Sequence, residues 1–76
     1  MPHISVKMIE GRSEEQKKQL AAALEEALTK TLGCGSHWVS ISIEDYNGKE
    51  WQDVFKNDIE GSPLYKKPEY DPKILL

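Results

Sequence analysis

From Pro2 to Ile9 the chain alternates: Ile4, Val6 and Met8 are apolar, His3, Ser5 and Lys7 are polar, and Ile9 ends the run out of step. A period of two over this length predicts a β-strand with one buried face. After Gly11 the period changes. Ser13 and Gln16 have the spacing of a capping box, in which each side chain satisfies a backbone donor near the other. From Glu14 to Leu32 the residues Leu20, Ala23, Leu24, Ala27, Leu28 and Thr31 form one stripe at helical spacing. Glu14 and Glu15 in the first turn and Lys30 in the last complement the helix dipole. Glu14/Lys18 and Glu26/Lys30 stand four apart in the favourable order, and Gly33 suits the left-handed residue that ends a helix.

Alternation returns from Trp38 to Glu44, with Val39, Ile41 and Ile43 on one face and Trp38, Ser40, Ser42 and Glu44 on the other. The serine face is too polar for a core and too poor in charge for plain surface. Strand, helix and strand with a crossover of this length predict a right-handed βαβ unit with parallel strands. Asn47-Gly48 marks a turn. Trp51, Val54, Phe55, Asp58 and Ile59 then recur at helical spacing, which predicts a short second helix over Lys49–Ile59, stopped by Gly61 and Pro63. The remainder, with Pro63, Pro68, Pro72 and two tyrosines, reads as an extended C-terminal arm built to lie on a surface, such as a neighbour's.

Seventy-six residues make a single domain spanning 1–76, and a domain of that size buries only about 60% of its unfolded surface. Two strands and one long helix cannot cover both faces of a sheet. The pattern therefore predicts an α/β fold whose sheet is completed by a second subunit, four strands per dimer under two helices. A net charge of −3 does not favour polyanions, so nucleic acid is not an expected partner. The lone Cys34, between Gly33 and Gly35, excludes an internal disulfide or a cysteine-rich zinc site and fits a reducing compartment. No apolar run approaches the ~20 residues that span a bilayer, and the first residues lack a hydrophobic signal region. The chain reads as cytoplasmic, without a membrane partner.

Chemistry concentrates at the start. If Met1 is removed, Pro2 presents a secondary amine on a rigid ring, placed by the main chain and not by a rotamer. An α-amino group titrates at about 7.7 to 8.0, and apolar burial or a nearby cation lowers that value by disfavouring the ammonium form. Proline directly after the methionine, an alternating strand, then Glu10-Gly11-Arg12-Ser13-Glu14-Glu15-Gln16-Lys17 opening a helix resemble the 4-oxalocrotonate tautomerase family. The likeness continues through Val39–Ile43 to Trp51, and Lys66-Lys67-Pro68-Glu69-Tyr70 resembles its phenylpyruvate-type bacterial branch.

That resemblance implies a cofactor-free keto-enol tautomerase, an isomerase, built on the βαβ tautomerase unit and acting on a small enol or keto acid. Pro2 would be the general base and acid. Arg12 would hold the substrate carboxylate, often across a subunit boundary, and Trp51 would wall the proline from water. The family forms dimers and hexamers, and the tail favours a homodimer. This chain departs from the pattern at Ser40, where 4-oxalocrotonate tautomerase carries a second arginine. A hydroxyl donates one hydrogen bond and no charge, so a monoacid with an aromatic or apolar end fits better than a dicarboxylate. Related proline chemistry, hydration, decarboxylation or dehalogenation of unsaturated acids, stays open, as does a catalytically silent binding module on the same scaffold.

Other residues carry weaker signals. His3 and His37 lack companion ligands at a metal-binding spacing, and His3 reads as a strand residue near the site mouth, so no metal is expected. Cys34 has no adjacent base to activate it. Lys66 and Lys67 read as solvated charge that could assist an anionic substrate.

Overall fold

The computed structural model describes all residues from Met1 to Leu76. Its elements are β1 (His3–Ile9), α1 (Glu14–Leu32), a 3-10 turn (Ser36–Trp38), β2 (Ser40–Tyr46), α2 (Gly48–Val54), a π-helical turn (Phe55–Ile59) and a closing 3-10 turn (Pro72–Leu75). β1 and β2 pair in parallel with His3 opposite Ser40 and Ile9 opposite Tyr46. The fold is the βαβ unit that the alternating periods predict.

Local chemistry sets the boundaries of α1. The Ser13 hydroxyl accepts from the Gln16 amide at 3.2 Å while the Gln16 side chain accepts from the Ser13 amide at 2.9 Å, which completes the capping box. Gly33 ends the helix at φ 69° and its N–H donates to Thr29, a backbone geometry that a side chain would strain. Of the two expected charge pairs, Glu26–Lys30 forms at 2.8 Å. Glu14 pairs instead with Lys17 at 3.6 Å, because Lys17 turns toward the sheet and also binds Asp45. The half-buried face of α1 comprises Lys17, Leu20, Ala21, Leu24, Glu25, Leu28 and Thr29, whereas Ala23, Ala27 and Thr31 of the expected stripe are exposed. The helix leans about one residue away from the periodicity reading.

β2 also differs from expectation at both ends. Trp38 and Val39 donate backbone hydrogen bonds to Gly35 and Ser36 at 3.1 Å each, so Ser36–Trp38 coils before the strand begins. The Trp38 ring packs on His37 at 4.7 Å and stays 49% exposed, leaving the serine face without it. At the far end the ladder continues through Asp45 and Tyr46, and Glu10 donates to Tyr46 at 2.8 Å.

Part of the C-terminal arm lies on the chain's own α2. The Trp51 indole donates to the Tyr70 hydroxyl at 2.9 Å, Gln52 donates to the Pro72 carbonyl at 2.8 Å, and Phe55 meets Tyr70 edge-on at 5.8 Å. The second helix covers the expected residues but widens after Val54, where Glu60 reaches back to the Phe55 carbonyl at 2.8 Å. Gly61 at φ 76° then turns the chain into the arm.

What this unit does not do is bury a core. Only Trp51 and Val54 are buried, at 7% and 6% exposure. The radius of gyration is 14.0 Å, against roughly 11 Å for a compact domain of this length, and the chain forms a slab of 40 × 29 × 17 Å. An apolar groove between α1 and β1, lined by Ile4, Leu24, Ala27, Leu28, Thr31 and Leu32, stands open.

The arm docks so closely that a Cβ on Gly48 would overlap the Leu75 carbonyl. Gly48→Ala should therefore lower stability by about 1–3 kcal/mol, the usual cost of overpacking against backbone, seen as a reduced Tm in thermal melting. An unchanged Tm would show that the arm does not rest there.

Candidate active site

Parallel pairing gives the sheet two chemically different ends. At the strand starts, Ser40 N–H donates to the Pro2 carbonyl at 3.3 Å, so the half-buried Pro2 sits beside Ser40 as the first rung of the ladder. On the face away from α1, the His3 ring bridges two serines: Nδ1 lies 2.6 Å from the Ser40 hydroxyl and Nε2 lies 3.4 Å from the Ser42 hydroxyl. Met1 is 93% exposed, and its removal would disturb no packing. While it is attached, the Pro2 nitrogen is an amide without basicity.

At the strand ends lie the other two expected residues. Arg12 is exposed, and its guanidinium donates to the Ile9 carbonyl at 3.3 Å. Trp51 is one turn into α2, its ring 6.2 Å from that of Tyr46 in an edge contact. β1 is seven residues long, which at about 3.3 Å per residue puts roughly 20 Å between the two ends. One protomer therefore joins Pro2 to Ser40 and joins Arg12 to the neighbourhood of Trp51, but does not join the two pairs to each other.

Charge at the far end is internally paired. Lys7 donates to Glu44 at 3.0 Å and to the Tyr46 hydroxyl at 3.4 Å, with its ammonium 5.7 Å from the Tyr46 ring centre. Tyr46 in turn donates to Glu44 at 3.1 Å. The Lys7 ammonium, then the Tyr46 hydroxyl, hold the Glu44 carboxyl below its ordinary range, while Glu44 raises Lys7. Asp45, on the opposite face, raises Lys17 in the same way. Arg12 takes part in none of these ion pairs, so its charge is free for an anion.

The His3–Ser40–Ser42 cluster and the Lys7–Glu44–Tyr46 triad escape sequence reasoning, because each depends on the register of two strands about 40 positions apart. The only advance signal is that polar residues alternate in both strands, at odd positions in β1 and even positions in β2. No group of three or more His, Cys, Asp or Glu side chains gathers as a metal site, and no helix is long and apolar enough to cross a membrane.

A parallel βαβ unit that opens on a proline beside the head of its second strand fits the resemblance to small tautomerases. Comparison with known proteins agrees. The profile of the family described as "Tautomerase enzyme" matches residues 2–52. A probable tautomerase of Xylella fastidiosa is 44% identical over 73 residues, covering 92% of this chain and 89% of the relative. The 2-hydroxymuconate tautomerase of Bacillus subtilis is 40% identical over 45 residues, covering 59% and 74%. The crystal structure of YwhB, a homologue of 4-oxalocrotonate tautomerase, superposes with a TM-score of 0.58 at 38% identity, covering 59% of this chain and 74% of that one. The chain belongs to the tautomerase family and is an isomerase.

Because Glu44 titrates below its unfolded value near 4.3, its contribution to stability is complete above that value and is lost as pH falls through the lowered folded one. Glu44→Gln should melt below wild type at pH 7, and the gap should close below about pH 4. A gap unchanged down to pH 3 would contradict the pairing.

Proposed function

We infer that the protein ketonises small enol acids, 2-hydroxydienoates or the enol forms of arylpyruvates, without a cofactor. The Pro2 nitrogen, once freed of Met1, takes the enol hydroxyl proton. As the oxygen's electron pair closes the carbonyl, the double-bond electrons move to the adjacent carbon, and the prolinium returns the proton there. Arg12 clamps the carboxylate through paired charge-assisted hydrogen bonds. Ser40 donates to the oxygen on which charge develops, and Trp51 excludes water. The observation that carries this reading is the placement of Pro2 on the first rung of the ladder beside Ser40, in a chain of this family.

The roughly 20 Å between strand ends gives Arg12 and Trp51 work only if they serve a neighbour. A two-fold axis that sets equivalent edge strands antiparallel brings the start of one strand to the end of its partner. Each of the two sites then takes Pro2 and Ser40 from one protomer and Arg12 and Trp51 from the other. The same dimer extends the sheet to four strands and covers the open groove beside α1. Ser40 in place of a second cation supports a monoacid substrate. That same substitution is the one feature that favours the rival reading, a binding module without turnover.

The test is ketonisation of phenylenolpyruvate by protein whose mass shows Met1 gone. Pro2→Ala should lose about 10²- to 10⁴-fold in kcat, the usual worth of a positioned general base, and equal rates would remove Pro2 from the mechanism. Wild type no faster than buffer would favour the silent module. Arg12→Ala should mainly raise KM, as loss of a ground-state clamp does, and unchanged kinetics would show that the guanidinium serves elsewhere.

A further inference from the structure

His3 has a role that the reading above leaves unassigned. Its ring stands on the polar face of β1, one residue from Pro2, and touches two hydroxyls of β2 at once: Ser40 through Nδ1 at 2.6 Å and Ser42 through Nε2 at 3.4 Å. Strand pairing makes this reach possible, since His3 lies opposite Ser40 and Ser42 is the next residue along the same face. His3 forms no ion pair. The cations and carboxylates of this face, Lys7 and Glu44, are occupied with each other nearer the other end of the strands.

A serine hydroxyl beside an enol oxygen is an ambiguous group, because it can donate or accept. Which role Ser40 takes is set by the tautomer of the imidazole beside it. A ring protonated at Nδ1 donates to the Ser40 oxygen and accepts from Ser42 at Nε2. With one lone pair of Ser40 engaged, its proton is turned outward to the substrate. The chain then runs Ser42 O–H to Nε2, Nδ1–H to Ser40 Oγ, and Ser40 O–H to the carbonyl oxygen. Each link polarises the next, and a hydrogen-bond chain of this kind strengthens its terminal donor.

We propose that His3 is a positioning residue which, bridged between Ser42 and Ser40, fixes Ser40 as a hydrogen-bond donor to the reacting oxygen. This rests on the assignment of Ser40 to that oxygen. A neutral hydroxyl backed by an oriented imidazole thus stands where a cation would otherwise polarise the carbonyl. The arrangement matches substrates whose only anionic group is the carboxylate held by Arg12.

A double-mutant cycle separates the two claims. Ketonisation of phenylenolpyruvate is measured for wild type, His3→Phe, Ser40→Ala and the double variant, all with Met1 removed. His3 is exposed, so exchange of its ring should leave the fold in place. His3→Phe should lower kcat by about tenfold, the scale of one hydrogen bond, with KM changed less than about twofold. On the Ser40→Ala background the same exchange should have no further effect. His3→Asn, whose amide can occupy the place of Nδ1, should recover most of the loss. Equal loss from His3→Phe in both backgrounds, or no loss at all, would overturn the role of His3 and leave that of Ser40 standing. A fully active Ser40→Ala would overturn both, and loss confined to Pro2→Ala would still leave the proline chemistry intact.

Discussion

The parallel alignment of β1 and β2 is the constraint from which the rest follows. A crossover helix of nineteen residues returns the chain to the same end of the sheet, so both strands begin together and both finish together. Pro2, His3, Ser40 and Ser42 gather at the beginning. Arg12, Tyr46 and Trp51 gather at the finish. An antiparallel hairpin would have mixed these sets within one chain, whereas the parallel unit keeps Pro2 and Ser40 at one end and Arg12 and Trp51 at the other.

A second consequence is an unfinished interior. With only two buried residues and an open groove along α1, the single chain leaves apolar surface in contact with water, which is unfavourable. Leu32 at 62% exposure borders that groove. In the proposed dimer, a two-fold partner laid antiparallel along the sheet would both cover apolar area and bring the two ends together. The arm contributes differently: through Tyr70, Pro72 and Leu75 it fastens α2 and fixes Trp51 from behind. The Xylella fastidiosa relative matches over nearly the whole chain, whereas the family profile ends at residue 52.

Much of this was legible in the sequence where the determining contacts are local. The capping box at Ser13 and Gln16, the left-handed Gly33 and the alternation of β1 each act within a few residues, and each element begins or ends within one residue of the expected place. β2 was misjudged at Trp38 because alternation continues through a segment that backbone hydrogen bonds to Gly35 and Ser36 coil instead. The arm's anchors on Gly48, Trp51 and Gln52 are long-range and carry no local sequence signal. Position and likeness single out Pro2, Arg12, Ser40 and Trp51 as candidates. Their division between opposite ends follows from the parallel βαβ unit that the pattern predicts, whereas the His3 bridge needs the exact register of β1 on β2.

Subunit complementation tests the central claim most directly. Pro2→Ala and Arg12→Ala proteins, each weakly active alone at substrate concentrations well below the wild-type KM, are mixed, dissociated and allowed to reassemble. If each site draws its proline and arginine from different chains, mixed dimers carry one intact site and one doubly altered site. Activity should then return to about a quarter of wild type, because half of the dimers are mixed and each holds one working site of two. Activity that never exceeds the sum of the two parents, in samples shown to contain mixed dimers, would contradict the shared site.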